Sequence, residues 1–211
     1  KFAAFQVPVA RADLPAGVSR LVLVPELREV RVQVSFTRFD SISANLQGEY
    51  DFTRQKVRPA MLTLPTGNEK WLPAAEVRGE GIFIQLDPAA VDAWEQRPAV
   101  QARAELLRRA FLADGGLEFP GVRFYLLHSL SHLLLTAISL ECGYAASAIR
   151  ERIYCSPAFH DDPGMAGVLL STGTTGSEGT LGGLVEEGRR VRHHMREAYD
   201  LGRLCSNDPV C

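Results

Sequence analysis

Residues Val122 to Cys142 constrain the fold more than any other stretch, because they read as a helix whose apolar side chains do not keep to one face. Phe124, Leu127, Leu130, Leu134 and Ile138 make one stripe at helical spacing. Leu126, Leu133, Leu135 and Leu140 carry the apolar surface around most of the circumference. A helix of that kind belongs at the centre of a core, because every face wants cover. It is not a membrane span. His128, Ser129, Ser131, His132, Thr136 and Ser139 interrupt it, and no apolar run reaches the roughly 18 residues a bilayer needs. Gly143 supplies the left-handed stop expected after such a helix.

The rest of the chain has to provide the cover. Leu21–Val24 and Val30–Phe36 read as strands, the second alternating Val30, Val32, Val34 and Phe36 against Arg31, Gln33 and Ser35. Residues 40–70 are polar and rich in turn formers and read as a long connection or an irregular hairpin. Gly81–Leu86 is a short strand, Pro88–Trp94 opens a helix, and Val100–Leu112 continues helical after Pro98. After the central helix come a short helix over Ala145–Tyr154 and a buried strand over Gly167–Ser171. The glycine-rich Gly173–Gly183 and a last helix over Leu184–Leu201 complete the chain. The expected class is α+β: a single compact domain with a central buried helix packed on a small mixed sheet.

Composition agrees with one soluble domain: 211 residues, 46% hydrophobic and 23% charged. A net charge of −2 recruits neither nucleic acid nor membrane in bulk, so any such contact needs a local patch. Three of the 23 cationic side chains are Lys (Lys1, Lys56, Lys70) and the others are Arg, the residue suited to buried pairs and bidentate contacts. Four cysteines are too few for a disulfide scaffold. With no secretory signal, the expectation is the cytoplasm, with reduced thiols or a metal site. Lys1 in place of an initiator Met points to a piece of a longer chain.

Four constellations can carry chemistry. The loop GTTGSEGTLGG between a strand and a helix invites an anion, but it is neither a Walker A loop, nor G-x-G-x-x-G, nor a nucleophile elbow. Glu178 within it would repel phosphate, and it is expected to pair with an Arg or cap the following helix. His128 and His132, four apart, share one helix face and can chelate zinc, but they lack the Glu of H-E-x-x-H; hydrogen-bonded packing is the alternative. Arg150, Glu151, Arg152 and Tyr154 are expected on the short helix, as an ion-pair network in which Arg150 or Arg152 meets Glu178. Cys205 and Cys211 flank a proline-containing loop and can bring two thiolates to one ion, with Cys142 and Cys155 as weaker candidates that simple burial also explains. Arg189, Arg192 and Arg196 on the last helix make a possible phosphate track.

Six stretches, in order, carry a resemblance: RVQVSFTRF (31–39), EVRGEGIF (76–83), HSLSHLLL (128–135), ECGYAASAIRERIY (141–154), AGVLLSTGTTGSEGTLGGL (166–184) and CSNDPVC (205–211). Together they resemble the DrmB family of the DISARM anti-phage system, through a module similar to the zinc-binding domain of MrfA-type DNA-repair helicases. The resemblance implies a non-catalytic partner of a superfamily 2 DNA helicase, DrmA in that system, with the pair binding DNA. It also implies zinc held by a cysteine cluster that Cys205 and Cys211 join and that is completed beyond Cys211. The domains it implies are an N-terminal extension over 1–18, a helicase-associated domain over 19–204 and a cysteine tail over 205–211. Two other readings stand beside it: the zinc-binding domain of a DNA-repair helicase, and a hydrolase or nuclease using His128, His132 and Glu178.

Overall fold

The computed structural model describes residues 3–7, 14–36, 58–59, 62–63, 70–114, 119–145, 148–156, 164–173 and 183–204. The elements in chain order are β1 (Ala3–Gln6), β2 (Val18–Val32), β3 (Ser35–Phe36), β4 (Arg58–Pro59), β5 (Leu62–Thr63), β6 (Lys70–Trp71) and β7 (Ala74–Leu86). Then follow α1 (Pro88–Glu95), α2 (Pro98–Ala113), α3 (Val122–Cys142), β8 (Ile149–Ser156), β9 (Met165–Thr172), α4 (Gly183–Arg189) and α5 (Val191–Arg203). The chain is α+β, with α3 against a five-stranded sheet ordered β1-β2-β7-β9-β8. Every pairing in that sheet is antiparallel, so the mixed sheet expected from the sequence is corrected. Residues 1–18, expected as an extension, contribute an edge strand: Phe5 pairs with Leu23 and Gln6 with Val22. In the polar stretch between β2 and β7 the described pairings are the two-residue ones of β3 with β4 and β5 with β6.

Register explains the core. Leu23, Ile82 and Leu170 lie side by side across three strands, as do Leu21, Ile84 and Val168, and all six are buried. Side chains paired across an antiparallel sheet share a face. Continued into β8, the first row reaches Glu151 and the second reaches Ile153. Glu151 therefore stands at an inward position, on the end of an apolar row. The opposite face carries Phe83, Tyr154 and Arg152; the Phe83 and Tyr154 rings meet edge to face at 5.7 Å.

Helix α3 has the expected bounds. Phe124, Leu127, Ser131, Leu134 and Ile138 form its buried stripe, and Gly143 ends it in the left-handed conformation at φ 72°. The expectation of burial all round is too strong, since Leu140 is 77% exposed. Two further corrections matter. The short helix expected over Ala145–Tyr154 is instead the strand β8, whose Ile149, Ile153 and Tyr154 suit a pleated surface and whose hairpin with β9 fixes its register. The single last helix is two, broken at Arg190. The break lets α4 lie on β2 and β7 while α5 turns onto α3. A Cβ on Gly188 would come within 2.4 Å of the Leu23 side chain, so α4 approaches the sheet closely only with glycine there.

Candidate functional site

Three polar groups converge where α3 crosses β8. His128 and His132 are one helical turn apart on α3, with ring centroids 4.5 Å apart. Glu151 comes up from its inward position on β8. Its Oε1 is 2.9 Å from His128 Nδ1 and 3.6 Å from His132 Nε2. The fully buried Ser131 hydroxyl meets the other carboxylate oxygen, Oε2, and also lies 2.7 Å from the His128 carbonyl oxygen. The His128 ring is stacked on Phe124 at 5.8 Å, which fixes its plane. Its Nδ1 is buried and makes no hydrogen bond among the described residues despite the nearby carboxylate. The donor atoms of His128, His132 and Glu151 all lie within 4.8 Å of one another. Two imidazoles and a carboxylate are a donor set that suits zinc and its neighbours.

A second cluster joins the end of α3 to α5. Glu141 Oε1 is 2.5 Å from His193 Nε2, and Arg190 reaches the same carboxylate. Together they hold the Glu141 carboxyl below its ordinary value, the His193 hydrogen bond being the larger cause. Glu187 takes Arg190 at 3.0 Å and His194 Nε2 at 2.7 Å. His194 is buried, and its Nδ1 is unpaired among the described residues. Glu141, His193 and His194 also group closely enough to hold an ion, but Arg190 already supplies the positive charge.

Two buried charged groups serve the fold. Glu80, fully buried on β7, accepts from the backbone N–H of Leu184 at 3.0 Å and of Val185 at 3.1 Å, and from the Tyr144 hydroxyl at 3.2 Å. It satisfies two of the donors that the start of α4 leaves open. Opposite Glu80, β2 slips register between Val24 and Leu27, at Pro25, which has no N–H to give the ladder. Arg123, 4% exposed, forks onto Glu95 at 3.0 and 2.8 Å, reaches Asp92, and donates to the Ser156 carbonyl at 2.9 Å. The Glu95 hydrogen bond chiefly holds the guanidinium above its ordinary value.

The residues expected from the sequence fall into three groups. His128, His132 and Glu151 come together, although Glu151 was expected on a helix among Arg150 and Arg152. In β8 those two arginines point to the opposite face from Glu151, and Arg152 lies 5.7 Å from the Tyr154 ring. Arg189 pairs with Glu186 at 3.2 Å and lies over Phe5 at 5.9 Å; Arg192 donates to the Leu14 carbonyl at 3.4 Å; Arg196 is exposed. Cys142 and Cys155 are free and half-buried, with burial pushing both thiols up; neither joins a metal-capable cluster among the described residues. Glu178, Cys205 and Cys211 lie outside the described residues. Glu80 and Arg123 were missed. The only signal for Glu80 was a carboxylate set between two glycines in the stretch 79–81.

Comparison with known proteins adds two findings. Residues 130–211 match the family model of the MrfA Zn-binding domain, a span that begins within α3 and runs to the end of the chain. Over 230 aligned positions the chain is 34% identical to the DISARM protein DrmB of Bacillus paralicheniformis, an alignment that takes in 100% of this chain and 38% of that relative. The chain thus spans well under half the length of the curated relative it matches. Among the described residues no helix is long and apolar enough to cross a membrane.

Proposed function

The chain belongs to the DrmB family of DISARM proteins, and from that premise we propose that it is a non-catalytic accessory module working with a superfamily 2 DNA helicase in anti-phage defence. The observation that carries this reading is the match to a DISARM DrmB along the whole of the chain. The module contributes assembly and DNA contact in the cytoplasm, while ATP-driven translocation belongs to the helicase. Its working unit is the domain over 19–204 together with the strand β1, which adds an edge to the same sheet. The tail holds structural zinc through Cys205 and Cys211, with further ligands beyond the tail, and Cys142 and Cys155 remain weaker candidates. Arg189, Arg192 and Arg196 meet DNA phosphates. The buried polar groups fit an architectural role: Glu80 and Arg123 are spent on joining helices to the sheet and to one another.

ATP hydrolysis measured on the full-length chain alone, the helicase alone and the two together tests the division of labour. The expected outcome is turnover by the helicase and by the complex, with none by the chain. ATP or phosphodiester hydrolysis by the chain alone would favour the hydrolase reading, in which His128 and His132 act with Glu178. The match of 130–211 to the MrfA Zn-binding domain favours a second reading, the zinc-binding domain of a DNA-repair helicase. A helicase core within the same polypeptide as this domain would select it.

A further inference from the structure

We propose that His128, His132 and Glu151 form a binding site for a divalent first-row transition ion, with zinc as the reference case, separate from the cysteine tail and independent of it. Four observations carry the site. First, the donors come from two elements whose positions are fixed by the core: α3 presents both imidazoles on one face, and the β8 register places Glu151 opposite them. Second, the spacing suits one ion. Bonds of about 2.0–2.1 Å in a tetrahedron set donors roughly 3.3 Å apart, and Glu151 Oε1 is 2.9 and 3.6 Å from the two imidazole nitrogens.

Third, the buried Nδ1 of His128 has no hydrogen-bond partner among the described residues, although Glu151 Oε1 lies 2.9 Å from it. Fourth, the charge is uncompensated by any cation among the described residues. No Arg or Lys pairs with Glu151, since Arg150 and Arg152 point to the other face of the sheet. The cluster at Glu141 differs in this respect, because Arg190 occupies it.

Ser131 completes the arrangement. Its hydroxyl meets Glu151 Oε2, leaving Oε1 to face the histidines. A partner of that kind orients a ligating carboxylate and tunes its affinity. Three protein ligands leave a fourth position on the side of His132, which is 51% exposed, so water or a ligand atom from a partner can complete the coordination. Imidazole donors select zinc, cobalt, nickel or copper over magnesium and calcium.

The test uses Co²⁺ as the probe and the full-length chain carrying Cys205→Ser and Cys211→Ser, which removes the tail thiolates. Cobalt uptake is read by elemental analysis after dialysis and by visible ligand-field absorption. The expected result is about one cobalt per chain at this site, with a nitrogen–oxygen spectrum lacking thiolate charge transfer. In that background His132→Ala and Glu151→Gln each weaken binding by at least about tenfold. Because His132 is half exposed, its Ala variant is expected to keep the unfolding midpoint of the metal-free parent, which separates ligand loss from misfolding. Equal cobalt affinity in parent and both variants overturns the site, as does a Cys205→Ser, Cys211→Ser chain that takes up no cobalt. Either outcome leaves the zinc reading of the tail standing. Conversely, tail zinc retained in the Cys205→Ser, Cys211→Ser chain, with cobalt taken up here, overturns only the tail.

Discussion

Glu80, in the middle of β7, accepts a hydrogen bond from the backbone N–H of Leu184, 104 residues later in the chain. A fully buried carboxylate in a sheet thereby fixes where α4 begins, and the same side chain takes Val185 N–H and the Tyr144 hydroxyl. Removing it leaves buried donors without a partner. Glu80→Ala is expected to lower stability by at least about 3 kcal/mol, since each orphaned buried group costs about 1–3 kcal/mol. Glu80→Gln, which keeps an acceptor, costs less. Urea unfolding of the two variants checks the order; equal midpoints for Glu80→Ala and wild type would show that α4 is held by packing alone.

The Arg123 clamp makes a comparable prediction at the other end of α3. Its guanidinium joins α1 to α3 through Glu95 and Asp92 and ties both to the end of β8 through Ser156. Arg123→Met keeps much of the apolar stem but strands Glu95, which is 20% exposed. Breaking a buried pair costs about 3–5 kcal/mol, and the access of water to Asp92 places this variant near about 3 kcal/mol. Thermal unfolding of Arg123→Met against Arg123→Lys measures it. An Arg123→Lys variant as stable as wild type would mean that the bidentate fork adds nothing beyond charge.

The Glu141 carboxyl gives a pH dependence with a definite sign. His193 and Arg190 hold it below the ordinary value of 4.5. A folded value below the unfolded one stabilises the fold above pH 4.5, and that stability is lost as pH falls through the lower, folded value. Wild type is therefore expected to lose stability faster than Glu141→Gln as pH drops below 4.5. Melting both proteins across that range decides it. Parallel curves would mean that the contacts with His193 and Arg190 are no stronger than solvation.

The Arg track predicts a salt effect. Affinity for duplex DNA falls with salt by a slope of about 0.9 per phosphate contact. Replacing Arg189, Arg192 and Arg196 with Ala in the helicase complex is expected to flatten the slope by roughly two to three units. An unchanged slope would return that surface to ordinary solvated charge, consistent with the hold that Glu186 and the Leu14 carbonyl already have on two of the three.

What was legible in the sequence and what was not divide along a physical line. Helix α3 could be read to its bounds because its apolar residues repeat at helical spacing and Gly143 marks the stop. The end of β7 through Ile82 and Ile84 was visible as a short apolar run, Gly81–Leu86, whereas Ala74–Glu80 was not read as strand. The metal-capable group was half visible: His128 and His132 share a face by spacing alone. Glu151 was hidden, because a carboxylate at an inward position breaks the alternation of Ile149, Ile153 and Cys155, and the segment then reads as a helix. Glu80 was hidden more deeply. Nothing local tells a Glu between two glycines that its hydrogen-bond donors lie in a helix far along the chain.

The central claim is that the chain acts as an accessory to a helicase. The measurement that tests it most directly is co-purification of an untagged superfamily 2 helicase of the DrmA type with the tagged full-length chain, followed by gel filtration after nuclease treatment. The account predicts one stable complex with the two proteins in fixed ratio, retained when DNA is removed. Separate elution of the two proteins, or association that vanishes with the DNA, would contradict it.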